Sequence, residues 1–139
     1  MIKIELERVD GEFAMEATSE TGNKIVFDSS PTEGGHNRGF RPMQSLIAAM
    51  GGCSAIDVIS ILRKQRENLK DIKITVTGER EKDVTPSLYT DIHAHFKLYG
   101  DLDKDKAQKA VSLSMEKYCS VAKTLEKTAK VTYSFEIIK

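Results

Sequence analysis

The chain has 139 residues, of which 40% are apolar and 30% charged, and its 21 basic residues balance its 21 acidic residues. This composition is typical of a soluble domain and excludes a disordered or low-complexity chain. A net charge of zero provides no basic field for nucleic acid or for an anionic membrane. We therefore expect one domain over residues 1–139, with neither nucleic acid nor a membrane as partner.

The first forty residues predict short strands and then a glycine-rich loop. Apolar and polar residues alternate on both sides of Asp10-Gly11, a two-residue hairpin signal. A third short strand is predicted over Lys24 to Asp28, and a polar loop with three glycines runs from Ser29 to Phe40. Because the N-terminus lacks the apolar stretch of a signal peptide, we expect a cytoplasmic protein.

A long helix is predicted from Pro42 to Arg66. Proline suits the first helical position, and apolar residues cover most of the circumference, which is typical of a buried helix. Glycine, serine and aspartate interrupt the apolar stretch, which argues against a membrane span. A helix of about 37 Å is too long for one small chain to enclose, so we expect a second subunit to cover part of it.

The second half predicts a hairpin, helices and a last strand. Alternating apolar residues predict the two strands, with Pro86 in the loop between them. A helix follows, capped by Asp101 or Asp103, and Ser120 is predicted to cap a short third helix. The segments are Ile72 to Val76, Ile92 to Leu98, Lys104 to Tyr118, Ser120 to Lys127 and Val131 to Ile137. The order indicates an α+β fold with antiparallel sheets around the long buried helix.

Two cysteines, Cys53 and Cys119, are the principal candidates for chemistry. In a reducing compartment such thiols serve in buried packing, in a metal site or in redox reactions, and the residues alone leave these three open. Gly51 and Gly52 precede Cys53, and each costs about 1 kcal/mol in a helix interior, so we expect something to approach this turn closely. Asp57, one turn further on, would disfavour a Cys53 thiolate if it points the same way.

The histidines do not form a recognisable metal-binding pattern. His93 and His95 share a strand face with Asp91 and Lys97, which is typical of a solvated surface. His36 lies in the glycine-rich loop. Neither CxxC nor HxxxH occurs, so we predict no metal site and no thioredoxin-like enzyme.

Two segments of the chain resemble the OsmC/Ohr family. The stretch from Arg41 to Val58, with Gly51-Gly52-Cys53, resembles the central helix of these proteins. The stretch from Tyr118 to Leu125 resembles their second cysteine motif, in which proline commonly follows the cysteine. The element order and the chain length also agree, and the resemblance is closest to the OsmC-like branch.

The resemblance implies an intertwined homodimer with the two long helices at its centre. It implies a thiol-dependent peroxidase for organic hydroperoxides in which Cys53 becomes a sulfenic acid and Cys119 resolves it as a disulfide. A dithiol then reduces the disulfide, and in the family this can be a lipoylated protein. No cofactor and no metal are needed.

Active members of the family use an arginine, held by a glutamate, to stabilise the reactive thiolate. Where Ohr proteins carry that glutamate, this chain has Met43. Arg38 and Arg41 are the candidate activating cations, and Gln44 is the candidate for orienting one of them through its carbonyl.

A non-enzymatic function is the alternative. In this interpretation the OsmC-like dimer binds a small apolar or electrophilic ligand and Cys53 is a vestigial thiol. Phe40, Met43 and Met50 would then line an adaptable pocket.

Overall fold

The computed structural model describes all 139 residues, which form two compact units, residues 1–46 and 47–139. The strands are β1 Glu5–Arg8, β2 Met15–Thr18, β3 Lys24–Phe27, β4 Asp71–Arg80, β5 Tyr89–Tyr99 and β6 Lys130–Ile138. The helices are α1 Pro42–Lys64, α2 Lys104–Leu113 and α3 Ser120–Leu125, with a 3-10 turn at Pro31–Glu33 and a π-helical turn at Ser114–Tyr118. The predicted α+β class is confirmed.

The first unit contains an antiparallel sheet in the order β1-β2-β3. The connection between β1 and β2 is longer than the two-residue turn that the sequence predicts. The Asp10 carboxylate accepts the backbone N–H groups of Glu12 and Ala14, at 2.9 and 3.1 Å, and so organises a wider loop. The predicted two-residue turn is therefore wrong: the backbone bond from the Val9 N–H to the Ala14 carbonyl, at 3.0 Å, closes a wider loop that the Asp10 side chain supports from within.

A buried carboxylate, that of Asp28, organises the loop after β3. Its oxygens accept the backbone N–H groups of Ser29, His36 and Arg38 at 2.7 to 3.1 Å. The hydrogen bond from Arg38 is the largest cause that lowers the pKa of Asp28, and burial opposes it. Gly35 packs so tightly that a Cβ there would lie 1.9 Å from the Ser29 carbonyl oxygen. These contacts keep the loop compact up to the start of α1.

The second unit contains the sheet β4-β5-β6. Strands β4 and β5 form the predicted antiparallel hairpin, whereas β6 pairs with β5 in parallel. The prediction of antiparallel sheets is therefore wrong for this one pairing. Parallel neighbours need a crossover, and α2, the π-helical turn and α3 provide it between β5 and β6.

One side of α1 contributes to the core of the second unit. Its fully buried side chains, Met50, Ser54, Val58 and Leu62, recur every four residues and form a single stripe. They share the core with residues of β5 and α2, namely Ile92, Ala94, Phe96, Leu98, Ala107, Ala110 and Val111. The helix is therefore not buried all round within its own chain.

The rest of α1 is apolar and partly open. Ile56, for example, is 70% exposed. By length and composition α1 could cross a membrane, with a mean hydropathy of 1.8 over an 18-residue window. A single such helix is weak evidence, because the core helices of soluble proteins meet the same criteria.

Candidate functional site

The two cysteines meet in the second unit. Cys53 lies half-buried in the middle of α1, and Cys119, between the π-helical turn and α3, is fully buried. Both are free thiols. Their sulfurs and a carboxylate oxygen of Asp57 all lie within 4.8 Å of one another. The fold therefore brings together two thiols that are 66 positions apart in the sequence.

A change of helical geometry places Cys119. After α2 the chain widens into a π-helical turn, which the Cys119 N–H closes by donating to the Ser114 carbonyl at 2.7 Å. Cys119 then leaves the helical conformation, and its sulfur accepts the N–H of Ala122 at 3.4 Å. Cys119, and not the predicted Ser120, is thus the N-cap of α3.

Ser54 supports the buried sulfur from α1. It is fully buried, and its hydroxyl is directed at the sulfurs of Met115 and Cys119, at 3.1 and 3.3 Å. The Cys119 thiol in turn donates to the Met50 carbonyl at 3.8 Å. Sequence reasoning missed Ser54, although a hydroxyl at a core position of an apolar stripe is a signal that could have found it.

Opposing effects act on the Cys119 thiol. Burial raises its pKa most, because a thiolate is poorly solvated there. Hydrogen bonds from Ser54 and from the Ala122 N–H lower the pKa, whereas the neighbouring Cys53 raises it. Cys119 therefore rests as a thiol with two donors in place to receive a thiolate.

Asp57 faces the thiols, one helical turn beyond Cys53. Its carboxylate lies on the same side of α1 as the Cys53 sulfur. The buried Ser114 hydroxyl donates to Asp57 Oδ2 at 3.1 Å. An open cavity of about 630 Å³ lies beside Asp57, and Lys64, Lys109 and Tyr118 are among the residues that line it.

Comparison with known proteins identifies the family. A family model described as OsmC-like protein matches residues 35–134. The chain belongs to the OsmC-like protein family. It is 41% identical over 121 residues to Protein YhfA of Escherichia coli (strain K12), which covers 86% of this chain and 87% of that protein.

Solved structures confirm the OsmC-like fold. A crystal structure of a hypothetical protein from Aquifex aeolicus VF5 is 31% identical, with a TM-score of 0.84 over 99% of this chain and 96% of that chain. The organic hydroperoxide resistance protein OhrB of Bacillus subtilis has a TM-score of 0.68 over 98% of both chains. At 19% identity, the likeness to OhrB shows the fold alone.

The candidate cations of this OsmC-like chain belong to the first unit. Arg41 donates through Nη1 to the Asn37 side-chain oxygen and to the Gly39 carbonyl, at 3.0 and 3.1 Å. Arg38 Nη1 lies 3.9 Å from a carboxylate oxygen of Asp10. Their role as activating cations stays a prediction.

Gln44 has a different partner from the one expected. Its side-chain carbonyl accepts the backbone N–H of Arg41 at 3.0 Å, so it is engaged by main chain at the start of α1 rather than by a guanidinium. This contact resembles the glutamine arm of a capping box, in which a side chain satisfies an N–H near the helix start. A role of Gln44 in orienting an arginine side chain stays a prediction.

Two further predictions concern side chains outside the thiol site. His93 and His95 share one face of β5, and their ring nitrogens lie 2.7 to 2.9 Å from hydroxyl and carboxylate oxygens of Thr132, Ser134 and Glu136 on β6. These bonds link the two parallel strands. Met50, predicted to line an adaptable pocket, has no exposed surface and packs in the core instead.

Proposed function

We propose that this OsmC-like protein is a thiol-dependent peroxidase that reduces organic hydroperoxides through Cys53 and Cys119. The observation that carries the proposal is the meeting of two free thiols within 4.8 Å, one half-buried and one enclosed. Family membership suggests a redox function related to peroxides, and the fold is shared with an organic hydroperoxide resistance protein.

In the first step the half-exposed thiol meets the peroxide. The Cys53 thiolate attacks the terminal oxygen of ROOH, the O–O bond breaks, and the alkoxide leaves and takes a proton to become ROH. Cys53 is then a sulfenic acid. Its position suits this role because it is the more accessible of the two thiols.

In the second step the enclosed thiol resolves the intermediate. The Cys119 thiolate attacks the Cys53 sulfur, hydroxide leaves as water, and a disulfide forms when the sulfurs close to about 2.05 Å. The Ser54 hydroxyl and the Ala122 N–H stabilise the attacking thiolate, which burial disfavours. An external dithiol supplies the two electrons that restore both thiols.

Substitution of each cysteine separates the two steps. We expect Cys53→Ser to abolish hydroperoxide consumption, whereas Cys119→Ser consumes one equivalent per chain and then stops. Ser112→Ala is the matched control, because its hydroxyl donates its hydrogen bond to the Lys109 carbonyl of its own helix. Wild-type turnover in both cysteine variants would refute the proposal. Comparing dihydrolipoamide with thioredoxin as the reductant tests the expected lipoyl-type partner.

The activating cation is tested by alkylation. We expect Arg38→Ala or Arg41→Ala to slow the reaction of iodoacetamide with Cys53 near neutral pH, because a guanidinium stabilises a thiolate. The Cys119→Ser background removes the second thiol from the measurement. Unchanged rates in both variants would mean that neither arginine activates Cys53.

A homodimer is part of the proposal. The open apolar side of α1, where Ile56 is 70% exposed, supports a covering subunit. Sedimentation is then expected to give about 31 kDa, twice the chain mass of 15.5 kDa. A stable monomer at micromolar concentration would contradict it.

A further inference from the structure

We propose that the reduced protein binds one Zn²⁺ ion between Cys53, Asp57 and Cys119. Zinc binding itself does not depend on peroxidase activity, whereas its regulatory consequence rests on the proposed function. The site is open to a metal only in the dithiol state, because a disulfide removes both sulfur ligands.

The spacing of the three groups suits a tetrahedral ion. Zinc takes thiolates at about 2.3 Å and carboxylates at about 2.0–2.2 Å, so tetrahedral ligands lie roughly 3.4–3.8 Å apart. The two sulfurs and the Asp57 oxygen lie within 4.8 Å of one another, so each pair needs to close by at most roughly 1.0–1.4 Å. Cys53 and Asp57 are one turn apart on α1, and Cys119 faces them from the start of α3.

Neighbouring hydrogen bonds orient two of the three ligands. The buried Ser114 hydroxyl donates to Asp57 Oδ2 at 3.1 Å. The Cys119 sulfur accepts hydrogen bonds from the Ser54 hydroxyl at 3.3 Å and from the Ala122 N–H at 3.4 Å. Partners of this kind fix the orientation and the charge of metal ligands in proteins.

A cation would compensate the negative charges of the deprotonated site. Two thiolates and a carboxylate would place three negative charges within 4.8 Å, and no basic side chain of the same unit forms an ion pair with Asp57. Thiolate ligands combined with a carboxylate favour zinc over magnesium or calcium. Because Cys119 has no exposed surface, the ion would enter past Cys53 and Asp57, both of which are half-buried.

Zinc would hold the site in an unreactive state. A sulfur lone pair that binds the ion is not available to attack a peroxide, so bound zinc inhibits the first step. Oxidation of the two thiols transfers two electrons to the oxidant, forms the disulfide and releases Zn²⁺ without any change in its own oxidation state. Zinc and hydroperoxide would therefore compete for the same reduced pair.

Metal titration of the reduced full-length protein tests the site without any peroxide. In anaerobic competition with a chromophoric chelator, we expect one Zn²⁺ per chain, and Co²⁺ in its place should show the sulfur-to-metal absorption of thiolate ligands. Loss of a ligand in Cys53→Ser, Cys119→Ser or Asp57→Asn should weaken zinc binding more than about 100-fold. This exceeds the usual effect of removing a residue that only hydrogen-bonds to a ligand. Ser114→Ala should weaken it by about 10-fold.

Two controls test whether zinc binds at the thiols rather than elsewhere on the chain. The double variant His93→Ala, His95→Ala removes the histidine pair of β5 and should bind zinc like the wild type. Protein oxidised by a general thiol oxidant should lose binding. Equal affinity in the wild type and in Cys53→Ser, or loss of binding in the histidine variant, would overturn the inference. Zinc binding without hydroperoxide turnover would refute only the proposed peroxidase.

Discussion

Gly51 and Gly52, which precede the reactive cysteine candidate, differ in what surrounds them. A Cβ added at Gly51 would lie 3.1 Å from Cγ2 of Val76 on β4. A Cβ added at Gly52 would meet nothing within 4 Å. Two adjacent glycines in a helix predict that another group approaches closely. Within one chain, the structure shows such an approach at Gly51 only.

The two alanine variants should differ in stability. Alanine is favoured over glycine in a helix interior by about 1 kcal/mol, so Gly52→Ala should raise the free energy of unfolding by about that amount. At Gly51 the same gain is offset by overpacking against a stiff β-branched side chain, which costs about 1–3 kcal/mol. The structure thus predicts that Gly51→Ala is about 1–3 kcal/mol less stable than Gly52→Ala.

Urea denaturation of the two reduced variants measures this difference directly. Thermal unfolding should separate their midpoints by at least roughly 3 °C. Equal stability of the variants, or the reverse order, at protein concentrations where the chain is monomeric would refute the assignment of the close contact to Gly51. Repeating the measurement over a range of protein concentrations gives a second result. If Gly52→Ala is destabilised only in the associated state, a covering subunit contacts that glycine.

Two further predictions follow from shifted pKa values. Because burial raises the pKa of Cys119, disulfide formation after one equivalent of hydroperoxide should accelerate about tenfold per pH unit below that pKa, as the thiolate fraction grows. Rapid quenching with an alkylating agent measures the rate of disulfide formation. Ser54→Ala should move the pH profile of this rate to higher pH. A flat profile would contradict a rate that is limited by the fraction of Cys119 thiolate. Burial, and then the hydrogen bond and charge of Glu116, raise the pKa of Tyr133 to about 12. The contribution of Tyr133 to stability is therefore complete below pH 10 and is lost as the pH rises toward about 12. Glu116→Gln should lower the pKa of Tyr133, measured by tyrosinate absorbance. An unchanged titration would exclude the interaction with Glu116.

Local features of the chain predicted the elements that bear the thiols. Proline at a helix start and a sustained apolar pattern predict a helix over Pro42 to Arg66, and the helix is Pro42–Lys64. Alternation predicts β4, β5 and β6 within a few residues of their ends. These signals depend on backbone geometry and on residues a few positions apart, so a single sequence contains them.

Longer-range features were predicted less well. The parallel pairing of β6 depends on which edge of β5 the chain reaches after two helices, and alternation looks the same in either direction. The π-helical turn at Ser114–Tyr118 left no pattern in the sequence, yet it places Cys119. The hydroxyl of Ser54 acquires its role only when Cys119 packs against it.

The amino-acid sequence by itself determined the family, the α+β class and the two cysteines as the residues to consider. Residue type and local periodicity are sufficient for those conclusions. Only the tertiary structure decided that both sulfurs and the Asp57 carboxylate lie within 4.8 Å. The distance depends on how a crossover of two helices packs against α1, and that packing is a balance of contacts between residues far apart in the chain.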